Sequence, residues 1–232
     1  IFKINQMNKL FSTLAVVALS VLSLNAQIKE GSITYAMTIE GLPPEQAAMI
    51  GDMENKVTFK NGKSLQEMSS MMFTNQTLTD DKGMVMLMEQ MGNKIAVKQT
   101  KEEMEKEEAK QKDKPADPKM EYTTETKTIA GYECKKVIVT MVGKDKKEEK
   151  MDIWYSDKFE NNNKEGKGQG MSFMKGLKGM PFEFAGGQGG MKFKMVAKEV
   201  SIDPVADSKF ELSTEGYKMM TMDELKAMRG GK

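Results

Sequence analysis

Twenty-four methionines in a chain of 232 residues, beside one cysteine and no histidine, set the range of chemistry this sequence can support. A thioether is soft and polarizable and ends an unbranched side chain with three rotatable bonds. Besides filling an ordinary core, such side chains have two uses. Lining a groove, they re-pack around varied apolar guests such as an acyl chain or a lipidated peptide. Converging on a point, they ligate Cu(I). Met84, Met86 and Met88 alternate along one strand face, with Met91 just beyond and Met68, Met71 and Met72 on the strand before. Met171, Met174, Met180, Met191 and Met195 come later, near Phe182, Phe184 and Phe193. The groove reading selects Met71, Met84, Met86, Met88, Phe182, Phe184, Met191, Phe193 and Met195 as its lining. Copper is disfavoured, because Val85 and Leu87 fill the opposite strand face and histidine, its usual partner, is missing. No metal and no cofactor are expected.

The rest of the inventory excludes more than it offers. Without histidine there is no Ser-His-Asp triad, no Cys-His dyad and no imidazole zinc site. The lone Cys134 forms no C-x-x-C pair and, lying in phase with Tyr132 in a strand pattern, reads as a small buried hydrophobe. Gly166, Gly168 and Gly170 mimic a nucleotide loop, but Met171 spoils the G-x-G-x-x-G spacing. Carboxylate-only hydrolysis is chemically open, yet nothing singles out a pair of acids. The expectation is a non-enzymatic protein. Near balance of 35 basic and 34 acidic residues leaves no global field to attract nucleic acid.

The elements that would position these side chains begin after an export signal. Met7-Asn8-Lys9 is a short positive region, Leu10–Leu24 an apolar stretch too short for a comfortable span, and Ala26-Gln27 the expected cleavage point. Residues 1–26 are thus read as an N-terminal extension and signal peptide, and 27–232 as one domain destined for the periplasm or beyond. The mature chain has no apolar segment long enough to be a transmembrane helix.

Within that domain the dominant period is two. Ile33, Tyr35, Met37 and Ile39 alternate with Ser32, Thr34, Ala36 and Thr38, the pattern of a half-buried strand. Val57 and Phe59 open a second strand that Asn61-Gly62 ends as a hairpin turn. Further strands are expected at Met84–Gln90, Ile95–Lys98, Glu121–Ile129, Tyr132–Val142, Met151–Tyr155, Met180–Phe184 and Met191–Val200, with turns at Gly92-Asn93 and Ala130-Gly131. A short helix is expected from Pro43-Pro44-Glu45 through Met49. A second follows Thr221, which forms a capping box with Glu224. Two inserts are expected: a charged one at about 101–118, whose Lys101–Lys112 run reads as a solvated helix or a disordered insert, and a Gly- and Asn-rich flexible one at about 161–178. The Lys175–Lys178 cluster beside Met171, Phe173 and Met174 forms an amphipathic lip at the edge of the groove.

Four segments together resemble a known family. They are Glu30–Met37 (EGSITYAM), Thr128–Lys136 (TIAGYECKK), Met151–Ser156 (MDIWYS) and the closing stretch Lys209–Leu212 with Glu215–Met222. All are similar to secreted bacterial proteins catalogued as domain of unknown function 4412. The resemblance implies export and a curved antiparallel sheet similar to the envelope lipoprotein carriers (LolA/LolB-like), and it implies no activity. The reading is a mainly β (α+β) fold, a single curved antiparallel sheet or open half-barrel with one or two short helices. Its function would be to hold an acyl chain or lipidated partner in the Met/Phe-lined groove. The alternative is a structural or interaction module with a closed core, docking to another envelope protein.

Overall fold

A computed structural model describes residues 26–41, 53–110, 116–142, 148–166, 171–188 and 191–230. Twelve strands form one open, curved sheet: β1 (Glu30–Glu40), β2 (Met53–Lys60), β3 (Lys63–Ser69), β4 (Phe73–Thr79), β5 (Gly83–Gln90), β6 (Asn93–Thr100), β7 (Lys119–Ile129), β8 (Tyr132–Val142), β9 (Glu148–Ser156), β10 (Met180–Gln188), β11 (Met191–Ser201) and β12 (Lys218–Met220). Their spatial order is β12-β6-β5-β4-β3-β2-β1-β11-β10-β9-β8-β7. The central strand β1 therefore separates two five-stranded meanders, β2–β6 on one side and β7–β11 on the other. Neighbours are antiparallel except β12, which pairs parallel with β6. Register shifts between Thr34 and Tyr35, between Tyr122 and Thr126, and between Pro181 and Glu183 interrupt the ladders. Such irregularities bend the strand that carries them and increase its twist.

Local sequence explains most of the connections. Asn61-Gly62, Met91-Gly92 and Ala130-Gly131 are two-residue turns with both φ values positive, from 47 to 85°. These are type I′ hairpins, whose backbone twist matches the flanking strands. The second turn lies one residue earlier than Gly92-Asn93, because Met91 takes the first left-handed position and Asn93 already belongs to β6. Met71 and Met72 are not on a strand. β3 ends at Ser69, and the Ser70 hydroxyl accepts bonds from the backbone N–H groups of Met72 (3.2 Å) and Phe73 (3.3 Å), closing a turn.

Both described helices start with the same device. In α1 (Lys101–Lys110) the Thr100 backbone N–H donates to Glu103 Oε2 at 2.8 Å, and the Glu103 N–H donates back to Thr100 Oγ1. In α2 (Met222–Gly230) Thr221 and Glu224 repeat the exchange at 2.7 and 3.2 Å. Each satisfies two backbone donors that the first turn would leave open. A Lys226–Glu107 ion pair joins the two helices. No described helix is long and apolar enough to cross a membrane. The helix expected at Pro43–Met49 lies outside the described residues.

One face of the sheet, the inner face, carries the main core. The β7–β11 half is covered by described residues between β9 and β10, 157–166 and 171–179, which take in most of the insert read as flexible. Among them Phe159 is fully buried, and Phe173, Met174 and Leu177 follow around a 3-10 turn at Ser172–Met174. Asn161 stitches this cap together. Its Nδ2 donates to the carbonyls of Met174 (2.9 Å) and Leu177 (3.1 Å), and its Oδ1 accepts from the Asn163 N–H (2.9 Å). Gly179 brings the cap down onto β9, since a Cβ there would lie 2.2 Å from the Ser156 carbonyl oxygen. Gln27 clamps the other end through Nε2, donating to the carbonyls of Asp157, Phe159 and Lys178. On the outer face a smaller core of Leu65, Leu78 and Phe210 packs with Val85, Val205 and Leu212.

Candidate functional site

Cross-strand pairing shows which residues share the inner face. One rung runs Met53, Met37, Met195, Phe184, Ile153, Val137, Tyr122 across β2, β1, β11, β10, β9, β8 and β7. Within the β2–β6 half three more rungs continue the same face. They are Phe59-Ser64-Thr79-Met84-Gln99, Val57-Gln66-Thr77-Met86-Val97 and Asn55-Met68-Asn75-Met88-Ile95. None of these fifteen positions is charged. The alternate rungs, on the outer face, carry Glu54, Lys56, Glu67, Glu89, Lys94 and Lys98.

The two halves of the inner face are finished differently. In the β7–β11 half the rings interlock: Phe159 with Phe182 at 5.4 Å between centroids, Tyr132 with Phe159 at 4.9 Å and Phe173 with Phe184 at 5.1 Å. Phe159 and Phe182 are completely inaccessible. In the β2–β6 half Met84 and Val97 are buried, but Met68, Met86, Met88 and Ile95 are only half-buried. An uncharged sheet face left half-open is unusual, because lysine and glutamate are the cheap way to solvate such a surface.

The expected groove residues therefore divide. Met84, Met86 and Met88 share the open half. Phe182, Phe184 and Met195 belong to the covered core, with Phe193 half-buried against it at 6.2 Å from the Phe184 ring. The backbone of Met191 opens β11 opposite Gln188, while its side chain lies outside the described residues. Met71 joins neither group: at the tip of the β3–β4 turn it is 87% exposed. Two surface clefts stand out among the described residues. One, of about 520 Å³, lies between β6, α1 and α2 and is lined by Gln99, Glu107 and Met220 among others. The other, of about 210 Å³, involves Thr58, Pro204 and Lys209. Neither of these two is lined by Met86, Met88 or the buried phenylalanines.

Sequence reasoning missed the asparagines. Asn55 is 1% exposed on the inner face of β2; its Nδ2 reaches only the Met195 thioether at 3.8 Å, and its Oδ1 has no partner. Asn75 Oδ1, two strands away on the same rung, is also buried without a partner. The signal was present in the chain. In β2 the charges fall at Glu54, Lys56 and Lys60 while Met53, Asn55, Val57 and Phe59 stay neutral.

The family is decided on this footing. A family model described as Domain of unknown function (DUF4412) matches residues 30–212. The chain belongs to DUF4412. The match runs from the first residue of β1 to the strand-like segment after Phe210, and so includes both meanders and the cap. No curated protein matches the chain.

Electrostatics in the DUF4412 fold concentrate away from the open face. Burial pushes the Cys134 thiol up to about 11 and drives the Tyr35 phenol well above its ordinary range. The Tyr35 hydroxyl donates to the Pro181 carbonyl at 2.8 Å. Burial works to raise the Glu183 carboxyl too, but hydrogen bonds from Lys127 (2.6 Å) and Lys194 (3.1 Å) outweigh it and hold it below the usual range. Lys127 also lies over the Trp154 ring at 4.2 Å, completing an outer-face network. Among the described residues no group of three His, Cys, Asp or Glu side chains could hold a metal ion.

Proposed function

We propose that this DUF4412 protein is a non-enzymatic, exported protein of the cell envelope that binds an acyl chain or the lipidated part of a partner. Its binding surface is the inner face of β2–β6. The observation that carries this reading is the charge segregation there: fifteen rung positions without a charge, five apolar side chains of the face half-buried, and acids and lysines confined to the other side. A thioether face can close on an alkyl chain by rotating side chains, with no backbone movement. Covering it with one such chain would remove apolar area from water at about 25 cal/mol per Å².

The cut expected between Ala26 and Gln27 is compatible with the described fold: Ala26 is exposed, and the Gln27 side-chain bonds and all described strands lie on the retained side. The carrier-like sheet that the sequence resemblance implies would fit the same reading. The competing reading, a closed interaction module, draws on the interlocked rings of the β7–β11 half. The two are separated by native mass spectrometry of the protein purified from its own envelope, followed by lipid extraction. Stoichiometric lipid is the expected result. A lipid-free protein that also takes up no fluorescent acyl amide would overturn the binding reading.

A further inference from the structure

We infer that the guest of this face carries a neutral hydrogen-bond donor, an amide or an alcohol at the head of an apolar chain, read by the two carboxamides of Asn55 and Asn75. The inference rests on the acyl-binding reading above and narrows it to a chemical class.

Both asparagines lie on one inner-face rung, separated only by Met68, so their backbones stand about 10 Å apart at the usual strand spacing. Each offers a buried carbonyl-type oxygen without a partner. A buried acceptor left unpaired is costly, and a bond that restores it recovers much of that cost. Two other buried atoms among the described residues lack partners, Ser156 Oγ and Asn162 Nδ2. Those lie in or beside the covered half and share no rung, whereas Asn55 and Asn75 flank one half-buried methionine. A contrast within the same molecule sharpens the point. Asn161, 2% exposed in the cap, has both donors' worth of carbonyls and an N–H on its oxygen. Asn55 is as deeply buried and its best donor contact is a thioether.

Unpaired acceptors select among heads. An amide or alcohol donates into them. An ester of the same length has no donor to offer. An ionised carboxylate brings two further acceptors and a charge onto a face where no rung position is cationic. The four heads can therefore be ranked on one chain length.

The test uses the mature chain and four C12 probes, dodecanamide, dodecanol, methyl dodecanoate and dodecanoate, in displacement of Nile red. The expected result is at least tenfold tighter binding of the amide and alcohol than of the ester and carboxylate. In the Asn55→Leu/Asn75→Leu variant the amide, alcohol and ester should fall within about threefold of one another, with the ester no weaker than before and the carboxylate still the weakest. Thermal unfolding of the unliganded variant supplies an independent readout: removing unpaired buried acceptors raises its midpoint. Equal binding of all four probes, or preference for the carboxylate, overturns the inference and leaves the acyl-binding reading standing. Binding of none of them overturns both.

Discussion

The two meanders that flank β1 solve the same problem in opposite ways. The β7–β11 half lays its own chain over the inner face and fills the space with interlocking rings, including Phe159, Phe173, Phe182 and Phe184. The β2–β6 half presents thioethers, hydroxyls and carboxamides, and leaves Met68, Met86 and Met88 half-covered. Aromatic rings have few rotamers and fixed shapes, so they specify one packing; thioethers tolerate many. The division is one of packing: interlocked rings specify a single arrangement in one half, and half-covered thioethers leave more than one open in the other.

The most forceful way to break this comparison is to remove one side chain from each half. Phe182→Ala opens a cavity where no solvent reaches, next to Phe159 and Tyr132. It should cost about 3–5 kcal/mol of unfolding free energy. Met86→Ala removes a half-buried side chain from the open face and should cost about 1 kcal/mol. Urea unfolding of both variants checks the ratio, provided the slope with denaturant stays constant. Equal costs would mean that the methionine face is as tightly packed as the aromatic one, and the division would fall.

A second difference between the halves is their response to alkali. The sign follows from burial: a thiol whose value is raised in the fold contributes stability below its ordinary value near 9 and loses it as the pH climbs to about 11. For Cys134 the loss is about 2 kcal/mol over that window, and Tyr35, raised by the same cause, adds to it at higher pH. Cys134→Ala should flatten the fall in stability between pH 9 and 11, a change of shape that a uniform packing defect would not give. The inner-face rungs of the open half carry no titrating group, so affinity for an uncharged C12 amide should stay constant from pH 6 to 9. A native thiol that reacts quickly with a thiol reagent at pH 8 would contradict the burial on which this rests.

How much of this was legible in the sequence depended on whether neighbours along the chain or across the sheet decide the outcome. Asn61-Gly62, Ala130-Gly131 and the Thr221/Glu224 capping box are local devices, and each forms where residue chemistry places it. The Thr100/Glu103 box is equally local, but the run of charge after it masks the helix start, because such a run is compatible with either a solvated helix or disorder. The expected groove joined Met84–Met88 to Phe182–Phe184 because alternation gives a face to each strand but not the order of strands. With β1 and β11 placed between the two sets, they line different halves. The Asn- and Gly-rich insert read as a loop for the same kind of reason. Asn161 looks like a solvated residue until Met174 and Leu177 return over it and offer it their carbonyls.

The finest distinction concerns position as against composition. Met71 and Met86 are the same side chain fifteen residues apart, one 87% exposed at a turn tip and the other on the central uncharged rung. Lysine at Met71 should change stability by less than about 0.5 kcal/mol and leave binding of dodecanamide untouched. Lysine at Met86 should be tolerated in folding, since its stem can reach the open side, yet it brings a hydrated ammonium onto the face that an alkyl chain would cover, and binding should be lost. Nile red displacement by both variants decides the matter. If Met71→Lys weakens the amide as much as Met86→Lys does, the guest is held by exposed thioethers at the turn, and the sheet face has been credited with a role that belongs to its edge.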